Sequence, residues 1–409
     1  MAPSAMPVDR DQSSGKYRRV GLCFDLKEDY VASGIPTELV EGFEETKTIN
    51  AITAALEKKG FHVIQLGNFK QLAKVLSDRD GKLYVDFVFN IHSGFYGTAR
   101  ESQVPAILEA YQIPFTGSNC ATLAWCIDKA KTKMILESLQ IPTAPFLVIP
   151  AVSKRDPALS TKALYEHAMS TTRHKKQLSK FPLFLKPVSQ GCSVGVSASN
   201  KVTNQERLHE ELDYLSCKFP NDDIVVETFL PGREFTVGII GTGHEARCLG
   251  AIEFNYSPRG ADGFPDFYSS GRKAVKTSAG METQVPSDKD SEANAVKEVA
   301  LRAWRALDCR DGGRVDVRCD ENGVPHILEL QPLSGLRPDI SGLPLIAYSA
   351  GISYDELICM IVEAAIGRFK RMGELSTKLV EPKLNGKQHG KAANAVENEN
   401  GVEYPRYDM

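Results

Sequence analysis

Apolar runs of strand length alternate with stretches of helical periodicity over the first hundred residues. A stretch from about Glu44 to Lys59 repeats its apolar residues at helical spacing, and Gly60 ends it. Strands separated by helices favour a parallel sheet in an open α/β domain, whose ligands bind at the carboxyl ends of the strands. The glycine-rich segment 90–97 is therefore a candidate binding loop, although such segments also occur as simple turns. The runs that predict strands are 18–24, 61–66 and 85–91.

Lysines are prominent in the next two predicted elements. Residues 128–139 have the apolar periodicity of a helix, and Lys129 and Lys133 lie four residues apart on its flank. Taken alone, these lysines are typical of a solvated helix face. Lys186 is different, because it closes the apolar strand predicted at 181–186, and lysine is almost never fully buried without a partner. A phosphate partner would explain its position.

A glycine-rich loop follows Lys186. Gly191 and Gly195 flank Cys192 and Ser193, and a loop of this composition can surround an anion with backbone N–H groups. The loop does not match the pattern GxxxxGK(S/T), so it is not a Walker A loop.

Two glutamates flank a Pro-Gly pair further along. Glu227 ends an apolar run, and Glu234 begins the next one. Two strands joined by a turn at Pro231-Gly232 would bring both glutamates near a connecting segment, where an adenine and a ribose could be read by hydrogen bonds. The alternative is that exposed glutamates at strand ends serve solubility.

The most informative pattern is a pair of short strands near the end of the chain, 314–317 and 327–331. Alternate side chains of a strand share a face, so Arg314 and Asp316 point one way from the first strand and Glu329 and Gln331 point one way from the second. Mg²⁺ usually takes one or two protein carboxylates and completes its shell with water and nucleotide phosphates. A metal-nucleotide site is therefore the leading hypothesis for the C-terminal third.

The composition narrows the class of protein. A chain of 409 residues is expected to form two or three domains around a cleft. The net charge of −3 lacks the basic excess of a nucleic-acid binder, which favours a small-molecule substrate. No apolar run reaches the ~18 residues of a membrane span and the polar start lacks a signal peptide, so a soluble cytoplasmic protein without membrane contact is predicted. The nine scattered cysteines are interpreted mostly as reduced core residues.

In their order and spacing, these motifs resemble those of the D-alanine–D-alanine ligase family of ATP-grasp enzymes. The resemblance runs from about residue 86 to residue 366, and the segments 113–118 and 350–357 fit it too. The fold that it implies is α/β, with three α/β domains and ATP held between two antiparallel sheets. The motifs are Asp128-Lys129, Phe184 to Pro187 with its Gly/Ser loop, Val226-Glu227, Gly232 to Val237, Gly313 to Asp316 and Leu328 to Pro332.

The domain boundaries that follow are stated as expectations. Residues 17–120 would form an N-terminal α/β domain, 121–222 a central ATP-grasp subdomain and 223–371 a C-terminal ATP-grasp subdomain. The polar ends, 1–16 and 372–409, are predicted to be disordered.

The resemblance also implies which residues hold ATP. Lys129 and Lys186 would contact the phosphates and adenine, Glu227 and the backbone at Leu230 would read adenine, and Glu234 would hold the ribose. Two basic residues of the long loop 257–280 would add phosphate contacts, Arg272 and Lys273.

The same resemblance places the reacting centre on the C-terminal strand pair. Asp316, Glu329 and Gln331 would bind Mg²⁺, for which Mn²⁺ could substitute. Arg314 and the backbone of Gly335 would stabilise the reacting carboxyl. The glycine-rich loop would close over the phosphates and adds two further catalytic candidates, Cys192 and Ser193.

The first loop departs from the family pattern. The family has a glycine-rich turn there, and a glutamate that binds the ammonium of the first amino acid; this chain has the segment 23–30, Cys-Phe-Asp-Leu-Lys-Glu-Asp-Tyr. Glu44 or Glu45 would have to replace that glutamate, and a substrate other than D-alanine is predicted. Cys192 stands in place of a family serine, and Gln331 in place of a metal-binding asparagine. The candidate substrate contacts are Glu45, His92, Arg337 and Ser341.

The implied activity is ATP-dependent ligation of a small-molecule carboxylate to an amine. The carboxylate attacks the γ-phosphate of ATP, and the amine then displaces phosphate to form an amide or peptide bond. Relatives of the family are commonly dimers, so the resemblance allows a homodimer. The alternative is a regulatory protein of ATP-grasp architecture that binds ATP without catalysis. Such a module has no reason to keep Arg314 beside Asp316 and Glu329, which favours the enzyme.

Overall fold

The computed structural model describes residues 19–40, 42–191, 194–256, 267 and 281–372. The strands within them are β1 (Arg19–Phe24), β2 (His62–Gly67), β3 (Phe87–Ile91), β4 (Phe146–Ile149), β5 (Leu183–Pro187), β6 (Lys201–Val202), β7 (Ile224–Thr228), β8 (Glu234–Ile240), β9 (Arg247–Tyr256), β10 (Met281–Gln284), β11 (Gly312–Cys319) and β12 (Pro325–Gln331). The helices are α1 (Lys27–Ala32), α2 (Thr46–Lys58), α3 (Phe69–Asp78), α4 (Gln103–Ala110), α5 (Cys120–Ile127), α6 (Lys129–Ser138), α7 (Thr161–Thr171), α8 (Lys175–Leu178), α9 (Gln205–Lys218), α10 (Ser291–Ala306), α11 (Gly342–Ser349) and α12 (Tyr354–Met372).

The N-terminal unit contains the predicted parallel sheet. Its strand order is β2-β1-β3, and β1 pairs in parallel with both neighbours. All five residues of β3 are buried, as expected for a strand covered on both faces. The alternation of strands and helices in the first hundred residues was therefore interpreted correctly.

Two antiparallel sheets follow. The four-stranded sheet has the order β4-β7-β5-β6, and the five-stranded sheet has the order β10-β9-β8-β11-β12. In β11, Val315 and Val317 pack into a core with Trp304 of α10, which leaves the opposite face of the strand to Arg314 and Asp316. The parallel sheet and these two sheets, each with its helices, confirm the predicted α/β class.

The two strands predicted on either side of Pro231-Gly232 are present, but they lie in different sheets. β7 belongs to the four-stranded sheet and β8 to the five-stranded sheet, so the two strands do not pair. The N–H of Phe229 donates to the carbonyl of Pro182 at 3.2 Å, and the N–H of Gly232 donates to the carbonyl of Cys319 at 2.9 Å. Each end of the segment 229–233 is thus tied to a different sheet, and the segment crosses between them. The expectation of a connecting segment near both glutamates therefore holds.

The first and last parts of the folded chain share one apolar core. Leu22 and Phe87 of the parallel sheet pack with Leu357 and Phe369 of α12. Beneath this core, Arg368 forms a buried ion pair with Asp311, which is fully buried, at 2.8 Å. Asp311 also accepts from the N–H of Gly117, and Arg368 donates to the carbonyl of Phe115, both at 2.8 Å. The N-terminal unit and the five-stranded sheet are therefore joined at one polar centre.

Eight of the nine cysteines lie in the described residues, and all eight are free thiols. Five of them are buried, Cys23, Cys126, Cys309, Cys319 and Cys359, as the sequence predicts for core residues. Among the described helices, none alone has the length and apolarity to cross a membrane; the sharply bent pair α11 and α12 meets that test only when the two are counted together.

Candidate active site

A cavity of about 130 Å³ lies between the two antiparallel sheets. Its walls bring together residues from both sheets and from α6, as a nucleotide site requires. Seven predicted site residues line it: Lys129, Lys186, Glu227, Leu230, Glu234, Asp316 and Glu329.

A buried charge triad lies at one wall of this cavity, which two of its members, Lys186 and Glu227, line. Glu227 on β7 pairs with Lys133 of α6 at 2.6 Å and with Lys186 of β5 at 2.7 Å. The three side chains are 1% to 7% exposed. Burial raises the pKa of the Glu227 carboxyl, but the two lysines outweigh it and lower that pKa to about 2. Glu227 is therefore ionised at any working pH.

The burial of Lys133 shows that the prediction of a solvated lysine face is wrong for this residue. Its ammonium also donates to the hydroxyl of Thr143 at 2.9 Å and to the carbonyl of Ala144 at 3.1 Å, so its charge is fully satisfied inside the protein. Lys186 likewise has a protein partner, and its burial does not require a phosphate. The spacing of four residues puts Lys133 on the helix face of Lys129 but does not distinguish a buried face from a solvated one.

The strand pair β11 and β12 carries the predicted cluster of carboxylates. Asp316 lies directly opposite Glu329, and Arg314 lies opposite Gln331. The guanidinium of Arg314 pairs with Asp316, and the amide nitrogen of Gln331 donates to both carboxylates. Lys129 lies 3.4 Å from Glu329.

The two carboxyl groups titrate differently. Burial and the neighbouring Glu329 raise the pKa of Asp316 to about 6, against the opposing effect of Arg314. Burial also raises the pKa of Glu329, but Lys129 and Arg314 prevail and lower it to about 2. The two carboxyl groups therefore titrate as a coupled pair, in which the charge on one group opposes ionisation of the other. Within the described part of the chain no group of three or more His, Cys, Asp and Glu side chains forms a metal cluster, and the oxygen donors here are two carboxylates and one amide.

The glycine-rich loop lies beside these carboxylates. The ammonium of Lys129 donates to the carbonyl of Gln190 at 2.5 Å, and Arg100 donates to the carbonyl of Ser189 at 3.0 Å. Gly195 has φ +77°, and a β-carbon there would lie 2.8 Å from Phe219, so the loop requires glycine at this position. Four predicted site residues lie outside the described residues: Cys192, Ser193, Arg272 and Lys273.

A second cavity, of about 110 Å³, adjoins the carboxylates and is lined by Lys129, Glu329, Gln331, Gly335 and Glu44. Glu44 is 7% exposed; its Oε1 accepts from the N–H of Leu336 at 3.2 Å, and its buried Oε2 has no hydrogen-bond partner among the described residues. Burial raises the pKa of its carboxyl above the ordinary value. We refer to this space as the reaction cavity.

Three of the four substrate candidates form a separate cluster outside the lining of the reaction cavity. Glu45 pairs with Arg337 at 3.1 Å, and Ser341 accepts from the N–H of Arg337 at 3.0 Å. Ser341 also lies against Gly335, where a β-carbon would lie 3.0 Å from its hydroxyl. Of the two adjacent glutamates, the structure therefore brings Glu44 to the reaction cavity.

His92 lies in the loop after β3, as predicted, but it faces a different cavity. Its Nε2 is 3.3 Å from Asp25, which also accepts from the hydroxyl of Tyr30 at 2.7 Å and the N–H of Gly94 at 2.8 Å. Burial lowers the pKa of His92, against the effect of Asp25. This hydrogen-bond network holds the loop in place.

Glu101 is a site residue that sequence reasoning missed. It lines the reaction cavity, in the turn before α4. Burial raises the pKa of its carboxyl to about 7, although Arg100 and Lys129 act in the opposite direction. The turn matches none of the motifs considered, so no sequence signal identified it.

Comparisons with known proteins agree with this geometry. The family model described as "D-ala D-ala ligase C-terminus" matches residues 135–363. The chain is 30% identical over 315 residues to D-alanine–D-alanine ligase of Proteus mirabilis, which covers 76% of this chain and 77% of that protein. It is 29% identical over 392 residues to D-alanine–D-alanine ligase A of Salmonella typhimurium, which covers 88% of this chain and 99% of the relative.

Solved structures show the same similarity. The D-alanine–D-alanine ligase of Bacillus anthracis superposes with a TM-score of 0.63 at 25% identity, over 87% of this chain and 100% of that one. The VanG D-Ala:D-Ser ligase of Enterococcus faecalis, at 17% identity, shares the fold with a TM-score of 0.62, over 86% and 100% of the two chains. Two antiparallel sheets around a cavity of lysines and carboxylates, with these relatives, define an ATP-grasp carbon-nitrogen ligase. The chain belongs to the D-alanine–D-alanine ligase family.

Proposed function

We propose that the protein joins an amino acid or similar small carboxylate, other than D-alanine, to an amine through an acyl phosphate. The observation that carries this proposal is that Glu329 lines both cavities and lies directly opposite Asp316, which pairs with Arg314. The nucleotide would lie in the cavity between the two antiparallel sheets, which we call the nucleotide cavity. The carboxylate would lie in the reaction cavity. The γ-phosphate and the carboxylate would then meet beside these three residues.

The reaction needs positive charge where negative charge develops. A carboxylate oxygen attacks the γ-phosphorus, the bond to the bridging oxygen breaks, and ADP leaves. A neutral amine then attacks the acyl carbon, phosphate leaves with the bonding electrons, and the amine loses a proton. Lys129 would contact the transferring phosphoryl group, and the fork of donors on Arg314 would stabilise the tetrahedral intermediate.

The donors on β11 and β12 fit Mg²⁺. Asp316 and Glu329 provide hard oxygen ligands, and two carboxylates are as many as this ion usually takes from a protein. In the structure the amide nitrogen of Gln331 faces both carboxylates, so the amide would have to turn over to offer its oxygen. When bound, the ion would neutralise charge on the phosphoryl group.

A substrate other than D-alanine is supported by two features around the reaction cavity. First, segment 23–30 departs from the family pattern, and Glu44 supplies the buried carboxylate at the reaction cavity. Second, a larger cavity of about 450 Å³ opens from the reaction cavity past Glu101 and Gly191 and has Phe43 and Phe95 in its wall. That volume lies within the range of ligand pockets, roughly 300–1,000 Å³. A substrate larger than alanine could extend into it.

The test is release of ADP and phosphate by the purified full-length chain with ATP and Mg²⁺. Separate reactions would contain D-alanine alone, pooled carboxylates, pooled amines and both pools, with mass spectrometry of the products. Release that needs both pools, with a product of their summed mass minus water, is expected. Efficient turnover of D-alanine alone would contradict the substrate proposal, and no release under any condition would contradict the ligase proposal.

Glu44→Gln tests recognition of an ammonium group. We expect KM for the ammonium-bearing substrate to rise by about 10-fold or more, because a hydrogen bond to a charged group is worth roughly 1.5–3 kcal/mol. KM for ATP is expected to stay unchanged, since Glu44 does not line the nucleotide cavity. Glu45→Gln is the matched control, because its side chain pairs with Arg337. A larger effect on substrate KM from Glu45→Gln than from Glu44→Gln would contradict the assignment.

A further inference from the structure

A buried arginine forms part of the nucleotide cavity. Arg318 of β11 lies directly opposite Glu234 of β8 in the strand register, and its Nη1 donates to Glu234 Oε2 at 2.7 Å. Both side chains line the cavity, with 6% and 7% of their surface exposed. Removing either partner would leave an uncompensated buried charge. The pair is therefore a fixed part of the wall.

Aromatic rings hold the guanidinium of Arg318 in position. Its central carbon lies 4.8 Å from the ring centroid of Phe229 and 5.9 Å from that of Tyr256. Arginine stacks on aromatic faces, and the attraction is stronger where water is excluded. Phe229 belongs to the segment that crosses between the sheets, so Arg318 connects that segment to Glu234. These contacts keep the guanidinium of Arg318 beside Glu234 in the cavity wall.

The ion pair with Arg318 uses one of the two carboxylate oxygens of Glu234 and leaves the other available to accept hydrogen bonds. Oε2 accepts from Arg318, whereas no described residue donates a hydrogen bond to Oε1. A carboxylate accepts at both oxygens, and hydrogen bonds from hydroxyl donors to an ionised acceptor are the strong ones. The two hydroxyls of a ribose are donors of this kind. Arg318 therefore orients Glu234 and supplies its counter-charge without occupying both oxygens.

We propose that Arg318 is a positioning residue that fixes Glu234 as the acceptor for the ribose hydroxyls of the nucleotide. The protein then discriminates ribonucleotides from deoxyribonucleotides through this pair. The inference depends on the nucleotide cavity of the proposed function, but it does not depend on the identity of the carboxylate or the amine.

The test is calorimetric binding of ADP, 2′-deoxy-ADP and 3′-deoxy-ADP to the full-length protein. The wild type is expected to bind ADP about 10- to 100-fold more tightly than the weaker of the two deoxy analogues, the ratio that one hydrogen bond to a charged acceptor provides. In Arg318→Met this ratio should fall to about 1, because affinity for ADP drops while affinity for the analogue changes little. Arg318→Lys, which keeps the charge, should restore part of the ratio.

Arg233→Met is the matched control. Arg233 precedes Glu234 and pairs with Glu253 at 2.6 Å and with Asp290 at 2.7 Å, outside the cavity lining. The Arg233→Met variant is expected to keep the wild-type ratio of ADP affinity to deoxy-ADP affinity, even if it unfolds at a lower temperature. A purely structural role of Arg318 would weaken ADP and its analogues equally, and that result would overturn the proposal.

The remaining outcomes are also decisive. Equal binding of the three nucleotides by the wild type would overturn the proposal. If Arg318→Met does not fold, Arg318→Lys decides, and a wild-type ratio of affinities in that variant would also overturn the proposal. Failure of the wild type to bind ADP would overturn both this inference and the nucleotide site. ADP binding without turnover in the substrate screen would count against the ligase proposal alone.

Discussion

Arg314→Ala is expected to lower kcat by about 10²- to 10³-fold, the effect of removing one preorganised donor to a developing oxyanion. Arg314 is held between Asp316 and the hydroxyl of Thr236, which lies 3.3 Å from its Nη1. Its guanidinium stays charged at any working pH, which suits the proposed role of stabilising the tetrahedral intermediate. Its side chain is 22% exposed, so its loss should leave the fold intact. The measurement is the rate of ADP release at saturating substrates.

The control for this prediction is Arg302→Ala, which removes an exposed arginine from α10 outside both cavities. It is expected to leave kcat unchanged. A circular-dichroism melt should give both variants unfolding midpoints close to that of the wild type. Normal turnover by Arg314→Ala would refute the assigned reacting centre.

Glu227→Gln is expected to destabilise the protein by about 3–5 kcal/mol, the usual cost of removing one partner of a buried ion pair. The substitution leaves Lys133 and Lys186 buried without a counter-charge. Nucleotide binding should weaken as well, because Glu227 lines the nucleotide cavity. The measurement is the free energy of unfolding from denaturant titration at pH 7.

The pH dependence of this variant has a definite sign. The folded-state pKa of Glu227 is about 2, below its ordinary value of 4.5, so its stabilising effect is present above pH 4.5 and is lost as the pH falls towards 2. The stability difference between wild type and Glu227→Gln should narrow over that interval. Glu211→Gln is the control, because Glu211 is also buried in this part of the chain and has no ion pair among the described residues. Glu211→Gln should not lower stability, because burial raises the pKa of the Glu211 carboxyl and so already disfavours its charge. Equal losses from the two substitutions would contradict the charge triad.

The sequence predicted most reliably what depends on local periodicity. A period of two placed Asp316 and Glu329 on one face of a strand pair, and the structure brings them directly opposite each other. Alternating strands and helices predicted the parallel sheet for the same reason. Both patterns follow from the periods of strands and helices, which can be recognised from a few neighbouring residues.

What the sequence could not show depends on contacts between distant segments. Lys133 is buried because it meets Glu227, 94 positions away, and without that partner it looks like a surface lysine. Glu44 and Glu45 are adjacent and chemically identical, so only the start of α2 decides which one faces the reaction cavity. The Pro-Gly pair at 231–232 has the composition of a tight turn, but membership of a sheet is a tertiary property.

The ion pair between Arg368 and Asp311 fastens the N-terminal unit to the five-stranded sheet. It ties Phe115 and Gly117 to the base of the five-stranded sheet, beneath a core that the parallel sheet and α12 share. The four-stranded sheet has a separate apolar core and is connected through the segments 142–145 and 229–233. We therefore expect any change in the width of the nucleotide cavity to come from rotation of the four-stranded sheet at those two connections.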